Sequence, residues 1–265
     1  MKLDFHLLGV GYLGKRLQAH QGTQTSPNSG GVSLSHDSGF DIYSDKAWEA
    51  LPEHPLPTII TIPPLETLSE TTEKLTRFAQ GLQSRWGESA KIIYISSTAV
   101  YPQIKGAFDE SFEGNPDGKS GFLRRASEEI LRKHFDATCL RPGGIYGEGR
   151  HLGLRLAQNK PPRGWDHPTY RIHVDDLAMI CLEAVKNTDF PKIMNCVDKY
   201  PASAREVAVW LDKAGLQAAP KIPAFQEMPM RVISDDLLQG LPYSLQYPSF
   251  KEGLTRIYQD AKTRD

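Results

Sequence analysis

The stretch Leu3-Asp4-Phe5-His6-Leu7-Leu8-Gly9-Val10-Gly11-Tyr12-Leu13-Gly14 decides how this chain folds. An apolar run leads straight into glycines spaced G-x-G-x-x-G, with Tyr12 and Leu13 between the second and third, and then into residues that start a helix. A strand, a turn and a helix joined this way aim backbone N–H groups and a helix N-terminus at a diphosphate. Gly9 permits the tight turn, Gly11 the close approach of a ligand, and Gly14 the packing of helix on strand. The expected ligand at this turn is a dinucleotide.

Working outward, short apolar runs alternate with amphipathic stretches, the signature of βαβ units and a mostly parallel sheet. Strands are expected at residues 5–9, 31–35, 58–62, 91–96 and 137–141, with a very short one at 22–25. Leu68, Leu75, Phe78 and Leu82 fall near helical spacing and predict a helix over 65–86. A second, charge-rich helix is expected over 120–134, then helices over 174–186 and 203–215. Ser203 is a natural N-cap and Glu206 completes a capping box. Residues 220–229 read as a proline-rich linker and 237–259 as short apolar elements separated by turns. The class is α/β: a Rossmann-type doubly wound parallel sheet over 1–145, and a smaller C-terminal substrate lobe over 146–265 from which 168–200 return to the sheet domain.

A net charge of -1 over 265 residues gives no electrostatic reason to expect nucleic acid or an acidic membrane as partner. No apolar run approaches the roughly 20 residues that span a bilayer, and Met1-Lys2-Leu3-Asp4 lacks the longer apolar region of a signal peptide. The expected compartment is the cytoplasm. Cys139, Cys181 and Cys196 are scattered through apolar segments and read as reduced core thiols, with no metal site.

Several segments fall in the order and spacing of the extended short-chain dehydrogenase/reductases, the nucleotide-sugar epimerase and dehydratase group. Ile92-Ile93-Tyr94-Ile95-Ser96-Ser97-Thr98-Ala99-Val100-Tyr101 resembles that family's serine-bearing strand, and Leu140-Arg141-Pro142-Gly143-Gly144-Ile145-Tyr146-Gly147 its strand and loop over the nicotinamide. Arg171-Ile172-His173-Val174-Asp175-Asp176-Leu177-Ala178 resembles its later helix start, and Tyr247-Pro248-Ser249-Phe250-Lys251-Glu252-Gly253-Leu254 the close of its substrate lobe. The resemblance implies an atypical member that binds NAD or NADP and takes a small-molecule substrate, a nucleotide sugar among the candidates. It also implies a homodimer built on the two long helices, 65–86 and 120–134.

The family's chemistry uses a serine or threonine with a Tyr-x-x-x-Lys pair on the following helix. The ammonium lowers the phenol's pKa, and the phenol exchanges a proton while hydride moves. By resemblance Ser97 is the serine, four residues before Tyr101, but the tyrosine position falls on Ser120 and the lysine position on Arg124. No tyrosine occurs from Ile104 to Ile145. A serine hydroxyl carries protons poorly near neutral pH, and a guanidinium holds its proton too tightly to relay it. Arg124 still suits the ribose-binding task of the family lysine. Tyr101, Tyr146, His173 or an ordered water would have to supply the proton.

The resemblance also places cofactor contacts at Ser96, Pro142 and the Ile62-Pro63-Pro64 strand end. Strand 31–35 matches the family's third, which makes Asp41-Ile42 the adenine-contacting pair and ends the second strand near Thr25, without a carboxylate. Hydroxyls there leave room for a 2′-phosphate, which favours NADP over NAD. Asp175 and Asp176 are expected to cap their helix, and His173 to be buried at its start. Arg150, Arg155, Lys160, Arg163 and His167 lie where the substrate lobe begins and suit a diphosphate, with Trp165 and Tyr170 as stacking candidates. Two functions follow: an epimerase, dehydratase or reductase with a substitute proton carrier, or a non-catalytic dinucleotide sensor.

Overall fold

The computed structural model describes residues 2–22, 31–162 and 164–263. In chain order its elements are β1 (His6–Leu8), α1 (Tyr12–Gln18), β2 (Ser33–Leu34), β3 (Thr58–Ile60), α2 (Leu68–Trp86), β4 (Lys91–Ile95), β5 (Gly106–Phe108), α3 (Lys119–His134), β6 (Asp136–Pro142), β7 (Gly144–Tyr146), α4 (Leu152–Ala157), β8 (Arg171–His173), α5 (Val174–Lys186), β9 (Ile193–Cys196), α6 (Ala204–Lys213), β10 (Arg231–Ile233), α7 (Asp236–Gln239) and α8 (Phe250–Lys262). They divide into two compact units. The first comprises Met1–Pro102, Glu113–Arg141 and Ala178–Met194, and the second Gln103–Phe112, Pro142–Leu177 and Asn195–Asp265.

A six-stranded sheet runs in the order β2-β1-β3-β4-β6-β9, and β2–β1, β1–β3, β3–β4 and β4–β6 are parallel. A sheet covered on both faces needs apolar side chains in both directions. All three residues of β1 and of β3 are accordingly buried. Leu75, Phe78, Ala79 and Leu82 of α2 share a core with Ile60, Ile92, Tyr94 and Leu131. The expected helix begins three residues late, at Leu68, because Thr67 caps it by accepting from Glu70 N–H at 3.3 Å. The expectation of an α/β fold with a doubly wound parallel sheet holds.

One assignment is corrected. Ser33–Leu34 pairs directly with β1, in register Leu7↔Ser33 and Leu8↔Leu34. Backbone bonds from Leu7 N to Val32 O (2.8 Å) and from Gly9 N to Leu34 O (2.8 Å) fix the pairing. The segment therefore holds the second-strand position next to β1 and does not stand third, as expected from sequence. Thr25 and the rest of the short strand expected at 22–25, apart from Gly22, lie outside the described residues. Helix α1 is only seven residues long, so the chain returns to the sheet sooner than the usual spacing suggests.

The second unit carries two small parallel sheets, β5–β10 and β7–β8. Its core gathers Tyr146, Ala202, Val207, Leu211, Phe250 and Leu254. Ser203 and Glu206 form the expected capping box at the start of α6. Asp176 is fully buried, yet it does not cap its own helix as expected. Its carboxylate accepts from Tyr243 Oη and from the N–H groups of Gln246 (2.7 Å) and Tyr247 (2.9 Å), tying the tail to α5. Three unsatisfied donors in a turn attract a buried carboxylate more strongly than a helix start that has other partners. All three cysteines are buried and none is in a disulfide.

Candidate functional site

The glycine turn is built as its spacing requires. Gly9 has φ +102, and a Cβ there would overlap Thr61 Oγ1. That hydroxyl donates to Gly9 O at 2.8 Å and locks the turn against β3. A Cβ on Gly14 would overlap Gly9 O, so only glycine lets α1 lie so close to the turn. At Gly11 a Cβ would meet nothing within 4 Å: the space over the turn is open. Gly11 caps α1 without a side-chain bond, so the N–H groups of Leu13 and Gly14 in the first turn can meet an incoming acceptor.

A cavity of about 420 Å³ adjoins the turn, lined by Gly9, Gly11, Ser35, His36, Asp37, Asp41, Ile42, Thr61, Ile62 and Pro63 among others. Asp41 and Ile42 are thus brought beside the glycines, and so is Pro63, whose carbonyl accepts from Tyr43 Oη at 2.8 Å. Pro64 is not on this wall. Because β2 is the second strand, Asp37 stands directly past its end, with Ser35 and His36. The expected preference for NADP rested on a second strand without a carboxylate. The pairing of β2 removes that premise.

Ser96, Ser97, Ser120, Arg124 and Pro142 do not line this cavity. Ser97 follows β4 and starts a short turn, its Oγ accepting from Ala99 N–H at 3.1 Å and keeping its own proton to donate. Ser96 is buried, with its Oγ unpaired among the described residues. Arg124 on α3 donates from Nη1 to Ile95 O (2.8 Å) and Tyr94 Oη (3.2 Å), so its guanidinium holds the end of β4. Ser120 is exposed at the second residue of α3. Pro142 is the buried last residue of β6.

The three side chains that could substitute for the missing phenol are buried and already hydrogen-bonded. Tyr101 is fully buried and accepts from Arg141 Nη1 at 2.9 Å. Tyr146 is buried, its hydroxyl donates to Ser249 O at 3.1 Å, and burial beside Asp198 pushes its pKa well up. His173 is packed edge-on against Tyr146 at 5.1 Å and lies 4.0 Å from the Tyr247 ring, with Nδ1 accepting from Asp175 N–H at 3.3 Å. This is the buried helix-start histidine expected from sequence.

In the second unit, a cavity of about 860 Å³ is lined by Arg150, Arg155, Arg171, His151, His167, Trp165, Asp166, Tyr146, Gln226 and Met228 among others. Of the five predicted cations the structure gathers Arg150, Arg155 and His167 here. Lys160 instead bonds Gln158 Oε1 at 3.2 Å, and Arg163 lies outside the described residues. Arg171 was missed, having been read as part of a helix start; its backbone N–H donates to Asp198 Oδ1 at 2.8 Å. Burial raises the Asp198 carboxyl to about 7. Trp165 reaches the cavity wall, whereas Tyr170 is core: its hydroxyl accepts from Ile233 N–H at 3.1 Å. The proline-rich stretch proves to be part of the wall. Asp166 pairs with Arg205, Arg205 Nη2 donates to Pro223 O at 2.8 Å, and Gln226 N–H donates to Asp166 Oδ2 at 3.1 Å.

Among the described residues no cluster of three His, Cys, Asp or Glu side chains is arranged to hold a metal ion, and no helix is long and apolar enough to cross a membrane.

No family model matches the chain. It is 31% identical over 117 residues to Protein YeeZ of Escherichia coli (strain K12), a match covering 42% of this chain and 42% of that relative. Solved structures superpose over nearly the whole chain. A protein assigned as an NAD-dependent epimerase/dehydratase from Methylobacillus flagellatus gives a TM-score of 0.73 at 21% identity, covering 99% of both chains. A dTDP-4-dehydrorhamnose reductase from Clostridium acetobutylicum gives 0.75 at 16%, covering 98% of this chain and 100% of that one. MoeE5 in complex with UDP-glucuronic acid and NAD gives 0.73 at 15%, covering 99% and 100%. The chain has the fold of the NAD-dependent epimerase/dehydratases and nucleotide-sugar reductases.

Proposed function

We propose that the protein is a dinucleotide-dependent oxidoreductase whose second unit takes an anionic substrate of the nucleoside-diphosphate-sugar type. The observation that carries the reading is the open space over Gly11 beside a cavity walled by Asp37. The adenosine diphosphate half of the cofactor fits there: the N–H groups of Leu13 and Gly14 meet the diphosphate and Asp37 accepts from the ribose hydroxyls. A carboxylate in that place repels a 2′-phosphate, so we assign NAD over NADP. Bound nicotinamide supplies or accepts hydride. Within the first unit, Ser97 keeps a hydroxyl proton to donate to an oxygen that gains or loses charge, and the proton itself is exchanged with solvent. Arg150, Arg155 and Arg171 answer the substrate's diphosphate, and Trp165 offers a face to its base.

A second reading, a non-catalytic dinucleotide sensor, is favoured by the burial and prior bonding of Tyr101, Tyr146 and His173. Calorimetric titration and turnover assays separate the two. Gly11→Val fills open space without a clash, so it is expected to lower dinucleotide affinity at least ~100-fold (about 2.7 kcal/mol) while leaving the melting temperature nearly unchanged. Unchanged affinity would refute the proposed cradle. Asp37→Ala is expected to shift the NAD/NADP affinity ratio about tenfold or more toward NADP. With nucleoside-diphosphate sugars as substrates, Ser97→Ala is expected to cut kcat roughly 100-fold. Binding of dinucleotide without turnover of any such sugar selects the sensor.

A further inference from the structure

A second cavity in the second unit, about 420 Å³, shares no lining residue with the arginine-lined one. It lies between α6 and the start of α8. Trp210 and Phe250 form its floor, in edge-to-face contact at 5.5 Å and 89°. Tyr200 stands at one side, 64% exposed.

The charges at its rim do not cancel. Glu206 is the one carboxylate in the lining, and it is spent on the capping box, accepting from Ser203 N–H at 2.7 Å and Ser203 Oγ at 2.8 Å. Lys213, in the last turn of α6, and Lys251, in the first turn of α8, are exposed and form no ion pair among the described residues. A lysine in a first turn opposes the helix dipole, so Lys251 costs α8 stability there, while Glu252 beside it in the same turn is engaged by Ser249 Oγ. An aromatic floor below two uncompensated ammonium groups is complementary to a flat ring bearing one negative charge.

We infer that this cavity binds a small planar aromatic carboxylate, its ring against Trp210 and Phe250 and its carboxylate between Lys213 and Lys251. The site is independent of the dinucleotide reading.

The test uses the full chain and 1-naphthoate as probe, followed by saturation-transfer NMR and by quenching of tryptophan emission. Binding is expected in the submillimolar to millimolar range of a fragment-sized ligand. The neutral analogue 1-naphthalenemethanol and the saturated acid cyclohexanecarboxylate should each bind at least ~10-fold more weakly. Lys213→Glu with Lys251→Glu, both surface changes that leave the core intact, should weaken naphthoate at least ~10-fold. Trp210→Leu should abolish the quenching on binding while circular dichroism stays native. Absence of naphthoate binding at millimolar concentration overturns the inference, as does equal binding of the uncharged or saturated analogue, or affinity unmoved by the double lysine change.

Discussion

Glu128→Gln is expected to lower stability by about 3–5 kcal/mol, more than any other single change argued here. Arg141 lies in β6 and is fully buried, and Glu128 on α3 is 1% exposed. The pair is bidentate, with Nε to Oε1 at 3.0 Å and Nη2 to Oε2 at 2.7 Å, while Nη1 donates to Tyr101 Oη at 2.9 Å. All the charge sits where water cannot reach it. A glutamine of the same shape leaves the guanidinium buried without its counter-charge and turns an amide N–H₂ toward a donor. At this chain length a loss of that size corresponds to a drop in melting temperature of roughly 6–20 °C. The double variant Glu128→Leu/Arg141→Met should lose clearly less than the sum of its singles, since it leaves no orphaned charge, although Tyr101 then forfeits its donor. Melts followed by circular dichroism decide it. A Glu128→Gln variant within 1 kcal/mol of the native chain, the order of a surface pair, would show that water reaches the pair.

This ion pair also shows what the sequence could and could not disclose. Arg141 ends an apolar run, and a lone charge in a buried strand demands a partner. The requirement was legible, but the identity of the partner was not, because Glu128 is one of several carboxylates on a charge-rich helix. The glycine turn was legible because each of its three glycines answers a local steric demand. The strand at 31–35 was legible too, but its place in the sheet was not, because a seven-residue α1 upsets the count from the glycines. That one slip kept Asp37 from being placed beside the glycine turn, where it lines the cavity. Asp176 and Arg171 were misread for another reason: their partners come from tertiary structure, Asp176 reaching residues 67–71 positions away. No local pattern encodes such a contact.

The pH dependence of stability is expected to combine two opposed slopes, each removable by one substitution. His6 is drawn into the core because β1 is covered on both faces. It stacks on Trp86 at 5.4 Å, faces the His54 ring at 6.0 Å, and its Nδ1 accepts from Val32 N–H at 3.2 Å. Burial lowers its pKa from 6.5 to about 4. The folded state therefore refuses a proton that the unfolded chain takes up. Stability from this group is whole above pH 6.5 and falls as the pH drops toward 4, by about 3 kcal/mol in all. Asp198 does the reverse. Its carboxyl rises from 3.8 to about 7, so its contribution is full below 3.8 and is lost as pH rises through 7, by about 4 kcal/mol. Between pH 4 and 6.5 the two nearly offset each other, and the native chain should show a shallow profile there. His6→Asn keeps an acceptor for Val32 N–H but cannot titrate, so its stability should rise relative to the native chain as the solution is acidified. Asp198→Asn should gain relative to the native chain as pH rises from 3.8 to 7 and keep that gain above it. Urea unfolding from pH 4 to 8.5 reads both differences directly. Parallel curves for native and His6→Asn would mean that the buried imidazole is protonated in the fold and that β1 does not exclude charge.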